Sequence, residues 1–217
     1  RIDLRFPLNL LVRGVEVIQQ PDTLLSLESL NVRVQAWPLL KGKVEVDEVT
    51  LSQVAVNSAN LIEGMQIKGV LGRFFLQSHG VDLSNETAVV NRTELSDTHI
   101  QLLMTDTTTT PKDTTASAPV NWKVNLHQLK LKNVSFGMKL PADSMKMAAY
   151  IGEATIDDAK ADLKNQFYGL KQFLLSGASA SYDTGEAQPS EGFDASHMAV
   201  RNIRIGLDSL LYEGDRK

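Results

Sequence analysis

The chain has no cysteine among its 217 residues, which excludes a disulfide framework, a thiolate metal site and a cysteine nucleophile. It also lacks an excess of either charge. Its 22 Lys+Arg stand against 26 Asp+Glu for a net charge of -4, so the basic surplus of a dedicated nucleic-acid surface is missing. No apolar run approaches the roughly 18 residues that a membrane-spanning helix requires. The histidines, His79, His99, His127 and His197, are scattered, with no second histidine at metal-ligand spacing. There is no Gly-x-Ser-x-Gly elbow, and Gly69-Val70-Leu71-Gly72 matches neither a phosphate loop nor a dinucleotide fingerprint. Asp157, Asp158 and Asp162 form the densest acidic group, but no glycine-centred calcium loop accompanies them, and a solvated turn accounts for them. No catalytic residue, cofactor or metal ligand can be named, and the expectation is a protein that is not an enzyme.

What the chain does have is strand patterning with a particular rhythm. Val44, Val46, Val49, Leu51, Val54 and Val56 are spaced 2, 3, 2, 3, 2, and Val124, Leu126, Leu129, Leu131, Val134 and Phe136 repeat it. Ala154, Ile156, Ala159, Ala161 and Met198, Val200, Ile203, Ile205 carry it again. Strands alternate faces with a period of two. A step of three would therefore turn all later side chains to the other face, unless a bulge or corner resets the alternation. Its recurrence implies a mainly β chain in a strongly twisted and curved sheet, or short strands joined at corners. Within 158–175, the spacing of Leu163, Phe167, Leu170 and Leu174 also fits one face of a short helix. The alternation of Ala159, Ala161 and Leu163 and the mid-run Gly169 favour strands there.

Thr105 to Pro119 holds no large apolar residue and is dominated by threonine, so burial cannot offset its ordering entropy. It is expected to be a flexible loop or linker between a first sheet segment, 1–104, and a continuation of the same sheet, 120–217. A weaker polar, turn-forming break runs from Asp183 to Gly192. Arg1 stands where a complete chain has Met, and apolar alternation begins at once with Ile2, Leu4 and Phe6. The chain is thus expected to be part of a longer polypeptide whose signal or anchor lies elsewhere.

The stretch from Trp37 to Val56, in which Pro38-Leu39-Leu40-Lys41-Gly42 leads into the Val44–Val56 strand, resembles a segment near the start of AsmA and TamB family envelope proteins. Gly14 to Val17 and Leu27 to Val34 fit the preceding strands of that pattern, and Val124 to Phe136 fits a later repeat. The resemblance implies a mainly β fold, an elongated, strongly curved antiparallel sheet (a β-taco) curled into a half-pipe with an apolar groove. It implies a periplasmic location, an inner-membrane anchor by an N-terminal helix absent here, and a role in phospholipid transport between membranes or in outer-membrane protein assembly. The implied partners are phospholipid acyl chains and, through a missing C-terminal part, an outer-membrane barrel of the BamA/TamA kind; nucleic acid is not among them. Val44, Val46, Val49, Leu51, Val124, Leu126, Leu129 and Leu131 are the candidate groove-lining residues.

Seven of the 15 Asp precede Ser or Thr. Turn and cap chemistry accounts for such pairs. Several also resemble the O-glycosylation motif of Bacteroidetes envelope proteins, which makes Thr23, Thr107, Thr114, Ser144 and Ser209 the candidate acceptors. The Asn-x-Ser/Thr triplets at Asn85, Asn91 and Asn133 carry no weight without eukaryotic-type secretion. The competing functional reading is a β-rich cell-surface adhesion or scaffold module with a self-packed core.

Overall fold

The computed structural model describes residues 2–5, 8–19, 21–39, 45–59, 61, 64–82, 85–104, 121–141, 144–185, 192, 194 and 196–214. They form strands β1 (Ile2–Arg5), β2 (Asn9–Gln19), β3 (Asp22–Val34), β4 (Val46–Asn57), β5 (Met65–Asp82), β6 (Thr87–Met104), β7 (Lys123–Leu140), β8 (Met145–Asp162), β9 (Phe167–Asp183) and β10 (His197–Glu213). One four-residue helical turn, α1 (Ala36–Leu39), precedes β4. All ten strands lie in a single open sheet, side by side in chain order. The fold is mainly β and curved.

Two expectations are corrected. The sheet is mixed rather than purely antiparallel: β6 and β7 pair in parallel, from Thr87 beside Lys123 to Leu103 beside Lys139. A tight hairpin can only reverse the chain, whereas parallel neighbours need a connection of a dozen residues or more. The 18 residues between Met104 and Lys123 are enough for that return. The Thr-rich tract 105–119 belongs to this connection and lies outside the described residues.

The second correction concerns the helix considered within 158–175. β8 runs on to Asp162 and β9 starts at Phe167. The turn between them is held by the Asp162 carboxylate, which accepts from the Asn165 backbone N–H at 3.1 Å and from its side-chain amide at 2.8 Å. Leu174, part of the supposed helical stripe, shares a face of the sheet with Phe167 but not with Leu170, and is 46% exposed.

The register explains the apolar rhythm. Ile2, Val12, Leu30, Leu51, Phe74, Leu95, Leu131, Ala154, Leu175 and Ile205 are successive cross-strand partners, one from each strand and all apolar. The neighbouring row runs through Leu10, Val32, Val49, Leu76, Thr93, Leu129, Ile156, Phe173 and Leu207. Partners in a ladder point to the same face, so these rows make one side of the sheet apolar. The reverse face carries rows such as Ser52, Arg73, Ser96, Lys132, Glu153 and Ser176.

The steps of three coincide with a line of backbone irregularity across the sheet. Gly14, Gln53, Asp97, Asn133, Gly177 and Asn202 have φ between 48° and 62° and fall opposite one another or opposite Glu28, Gly72 and Gly152. A residue in the left-handed region interrupts the extended alternation, so the apolar side chains beyond it return to the face they occupied before it. Gly, Asn and Asp tolerate that region best. Gly72 is needed for a separate reason: a Cβ there would lie 2.7 Å from Asp97 Cβ and 2.8 Å from its carbonyl oxygen. Six residues away along β7 to β9, a second line passes through His127, Asp158 (φ 50°), Lys171 and Ser209 (φ 71°).

Gln53 is exposed and lacks the tolerance of Gly or Asn for φ > 0. Urea denaturation is expected to find Gln53→Val less stable than Gln53→Gly by about 1–2 kcal/mol, the cost of holding a β-branched residue left-handed. Equal stabilities would mean that the bend does not depend on this conformation.

Candidate functional site

Seven of the eight proposed groove residues, Val46, Val49, Leu51, Val124, Leu126, Leu129 and Leu131, lie on the apolar face and are half-buried. Val44 lies outside the described residues. Val49 and Leu129 share one row and Leu51 and Leu131 the next, so the register joins the two sequence repeats across three strands.

This face is laterally packed, and among the described residues nothing covers it. The buried side chains are Leu11, Ala88, Ala154, Ala178, Ser58, Ser78 and Thr98, and all but Leu11 belong to the apolar face. They are small; among the described residues no large side chain is fully buried. Towards the strand ends the apolar residues become more open, with Ile100 at 40%, Phe136 at 41% and Val200 at 53% exposure. The accessible surface is 15238 Å², against roughly 9,900 Å² for a compact globule of 23.9 kDa. Among the described residues no second sheet or helix is laid over the layer.

The reverse face holds the recesses. One of about 960 Å³ crosses β5 to β10 beside the first bend and is lined by Lys68, His99, Ser135, Gly137, Lys139, Lys146, Ala148, Tyr150 and Arg201, among others. His99 is hydrogen-bonded through Nδ1 to Ser135 Oγ and through Nε2 to the Gln101 amide at 2.9 Å. A smaller recess of about 480 Å³ sits on the second bend. There Asp158 meets His127 Nδ1 at 3.1 Å and Lys171 Nζ at 3.7 Å. The His127 hydrogen bond, with Lys171 assisting, holds the Asp158 carboxyl below the usual carboxylate range.

Sequence reasoning missed a third cluster, because its members meet only when the β9–β10 hairpin closes. His197 Nε2 lies 3.1 Å from Asp183 and its Nδ1 lies 2.9 Å from Ser196 Oγ. The order carboxylate–imidazole–hydroxyl resembles a hydrolytic triad in outline only. Ser196 donates its hydroxyl proton to Asp194, whose carboxylate also accepts the Ser196 backbone N–H at 2.8 Å. With the proton engaged there, the imidazole has none to remove, and the network closes a turn. These contacts, the Ser196 hydroxyl first, hold the Asp194 carboxyl low.

All four histidines are exposed. Asp157 accepts from Gln128, Asp158 pairs with His127 and Lys171, and Asp162 binds Asn165 and Lys123. Among the described residues no group of three or more His, Asp or Glu is placed to hold a metal ion, and no helix is long and apolar enough to cross a membrane. Of the proposed glycosylation acceptors, Thr23, Ser144 and Ser209 are exposed, the last two with φ of 51° and 71°. Thr107 and Thr114 lie outside the described residues. No protein-family model matches the chain, and no curated protein matches it.

The Asp158 contacts set a pH dependence. A carboxyl whose folded pKa is lowered contributes stability that is complete above its unfolded value, ~3.9, and is lost as the pH falls through the folded value. The stability gap between the unsubstituted protein and Asp158→Asn, which keeps a residue tolerant of φ > 0, should therefore be present at pH 7 and close below about pH 3.9. Denaturant titrations at pH 7 and pH 2.5 check this. An undiminished gap at the lower pH would assign the residue a purely conformational role.

Proposed function

We propose that the chain is a non-enzymatic segment of an envelope protein similar to the TamB and AsmA families. It would be anchored in the inner membrane through sequence outside this chain and carry phospholipid acyl chains along its apolar face. A role in outer-membrane protein assembly, through a barrel partner, is part of the same reading. One observation carries the proposal: an apolar face continuous over ten strands, packed sideways by its own rows and, among the described residues, open above them.

Water in contact with such a surface is unfavourable by about 25 cal/mol for each Å² of apolar area, so the face favours an occupant. An acyl chain suits it. It needs no polar partner and no fixed register, and it can slide from row to row because each row presents the same chemistry as the next. Nine strand spacings give the face a length of about 43 Å across the strands. The adhesion reading requires a self-packed core, and it draws no support from a layer whose buried residues are mostly Ala, Ser and Thr. The Asp-Ser/Thr pairs at exposed positions such as Thr23 and Ser144 fit an envelope location under the same proposal.

Leu131 and Lys130 are adjacent residues of β7 on opposite faces. A photo-crosslinking amino acid placed at Leu131 in the full-length protein, in cells, is expected to label phospholipid several-fold more than the same group at Lys130. Equal labelling at both positions, or none at Leu131, would overturn the proposal.

A further inference from the structure

We propose that the large recess on the reverse face is a binding site for an amphiphile with one acyl chain and a phosphate monoester head. It is distinct from the apolar face and does not rest on the transport reading. Three successive cross-strand rows build it. In the row nearest the strand ends, Lys139 and Lys146 stand directly opposite each other on β7 and β8. In the next, Gly137, Ala148, Ser181 and Ala199 follow one another across β7 to β10. The third, against the bend, brings Ser135, Tyr150 and Ser179 together.

The charge of this recess is opposite to that of the chain. Its lining includes four permanent cations, Lys68, Lys139, Lys146 and Arg201, and one carboxylate, Asp183, on a protein whose net charge is -4. Asp183 is already engaged, accepting from the Gly185 backbone N–H at 2.8 Å and meeting His197 at 3.1 Å. Among the described residues none of the four cations forms an ion pair. Like charges directly opposite in a ladder repel; Lys146 also stands opposite Asp183 on β9, whose carboxylate is taken up by Gly185 and His197, so an anion seated between Lys139 and Lys146 would pair both ammonium groups. Several cations against one occupied carboxylate favour a doubly charged phosphate monoester over a singly charged carboxylate.

The floor selects the remainder of the ligand. Gly137, Ala148 and Ala199 leave it without bulk or charge, and the Tyr150 ring borders it. The channel is about 24 Å across by five strand spacings, with Lys68 at its β5 end, Arg201 at its β10 end, and Lys139 and Lys146 between them on β7 and β8. A bare phosphate would leave the channel empty, and a neutral chain would leave the lysines unpaired.

Gly137 permits a clean steric test, because an added Cβ would meet nothing closer than 3.9 Å and its φ is not left-handed. Gly137→Leu should therefore fold while filling the channel. The probe is dodecyl phosphate below its micelle concentration, followed by calorimetry and by amide shifts at Gly137 and Ala148. Saturable binding is expected. Lys139→Gln with Lys146→Gln should weaken binding, read from the Ala148 amide shift, about tenfold or more; Gly137→Leu should weaken it comparably with all charges intact; and Leu131→Ser on the apolar face should leave that shift unchanged, whatever the probe does on the apolar face. The proposal fails if inorganic phosphate binds as tightly, if dodecanoate or dodecylphosphocholine binds as tightly, if Gly137→Leu has no effect, or if the loss follows Leu131→Ser. Because the transport reading is tested at Leu131 and this one at Gly137 and the lysines, either can fail alone.

Discussion

The structure depends on a backbone constraint: a strand keeps one face apolar through a bend only where the alternation is reset. At Gln53, Asp97, Asn133, Gly177 and Asn202 the reset is a single residue in the left-handed region, and these residues stand in line across the sheet. Because the resets are aligned, the rows on either side stay in register from strand to strand. Were they staggered, Leu51, Phe74, Leu95 and Leu131 would not be consecutive partners, and neither face would be uniformly apolar. Asn133 reinforces the line by donating from its side-chain amide to Asp97 at 2.8 Å across the parallel β6–β7 pair. The bend is thereby bonded sideways at the point where the strand direction changes.

Much of this was legible in the sequence, and the reason is local. The 2,3,2,3 spacing of Val124 to Phe136 registers each reset within one strand, so both the curvature and the apolar side could be deduced without knowing any pairing. The parallel β6–β7 pair was not legible. It depends on which end of β6 the chain returns to, and the residues that make the return carry no apolar pattern from which to infer it. The helix considered for 158–175 had a sequence basis in Leu163, Phe167, Leu170 and Leu174. What overrides it is tertiary: Phe167 to Asp183 pairs on both sides, with β8 and β10, and the Asp162–Asn165 turn fixes where the chain reverses.

The reverse-face recess was illegible for a different reason. Its cations come from four strands, at positions 68, 139, 146 and 201, and nothing in their sequence neighbourhoods distinguishes them from ordinary solvated lysines and arginines. Only register places Lys139 against Lys146 and lines Gly137 up with Ala148. A signal was available in the small residues, since Gly137, Ala148, Ser181 and Ala199 interrupt strands otherwise rich in larger side chains. Their alignment, however, is a property of the sheet. The Ser196–His197–Asp183 network illustrates the opposite case, in which neighbours by register look like chemistry until the destination of one proton is followed.

The open edge of β10 has a geometric consequence. β10 hydrogen-bonds only to β9 among the described residues, and its apolar residues Ile205, Leu207 and Leu210 continue the rows to that boundary. A layer assembled this way gains length by strand count: each further hairpin arm adds about 4.8 Å, whatever the length of the strands themselves. Strand length and the two bends set the cross-section, while the number of repeats sets the span. The two dimensions can therefore be altered independently, so the sheet acts as a ruler whose divisions are strands.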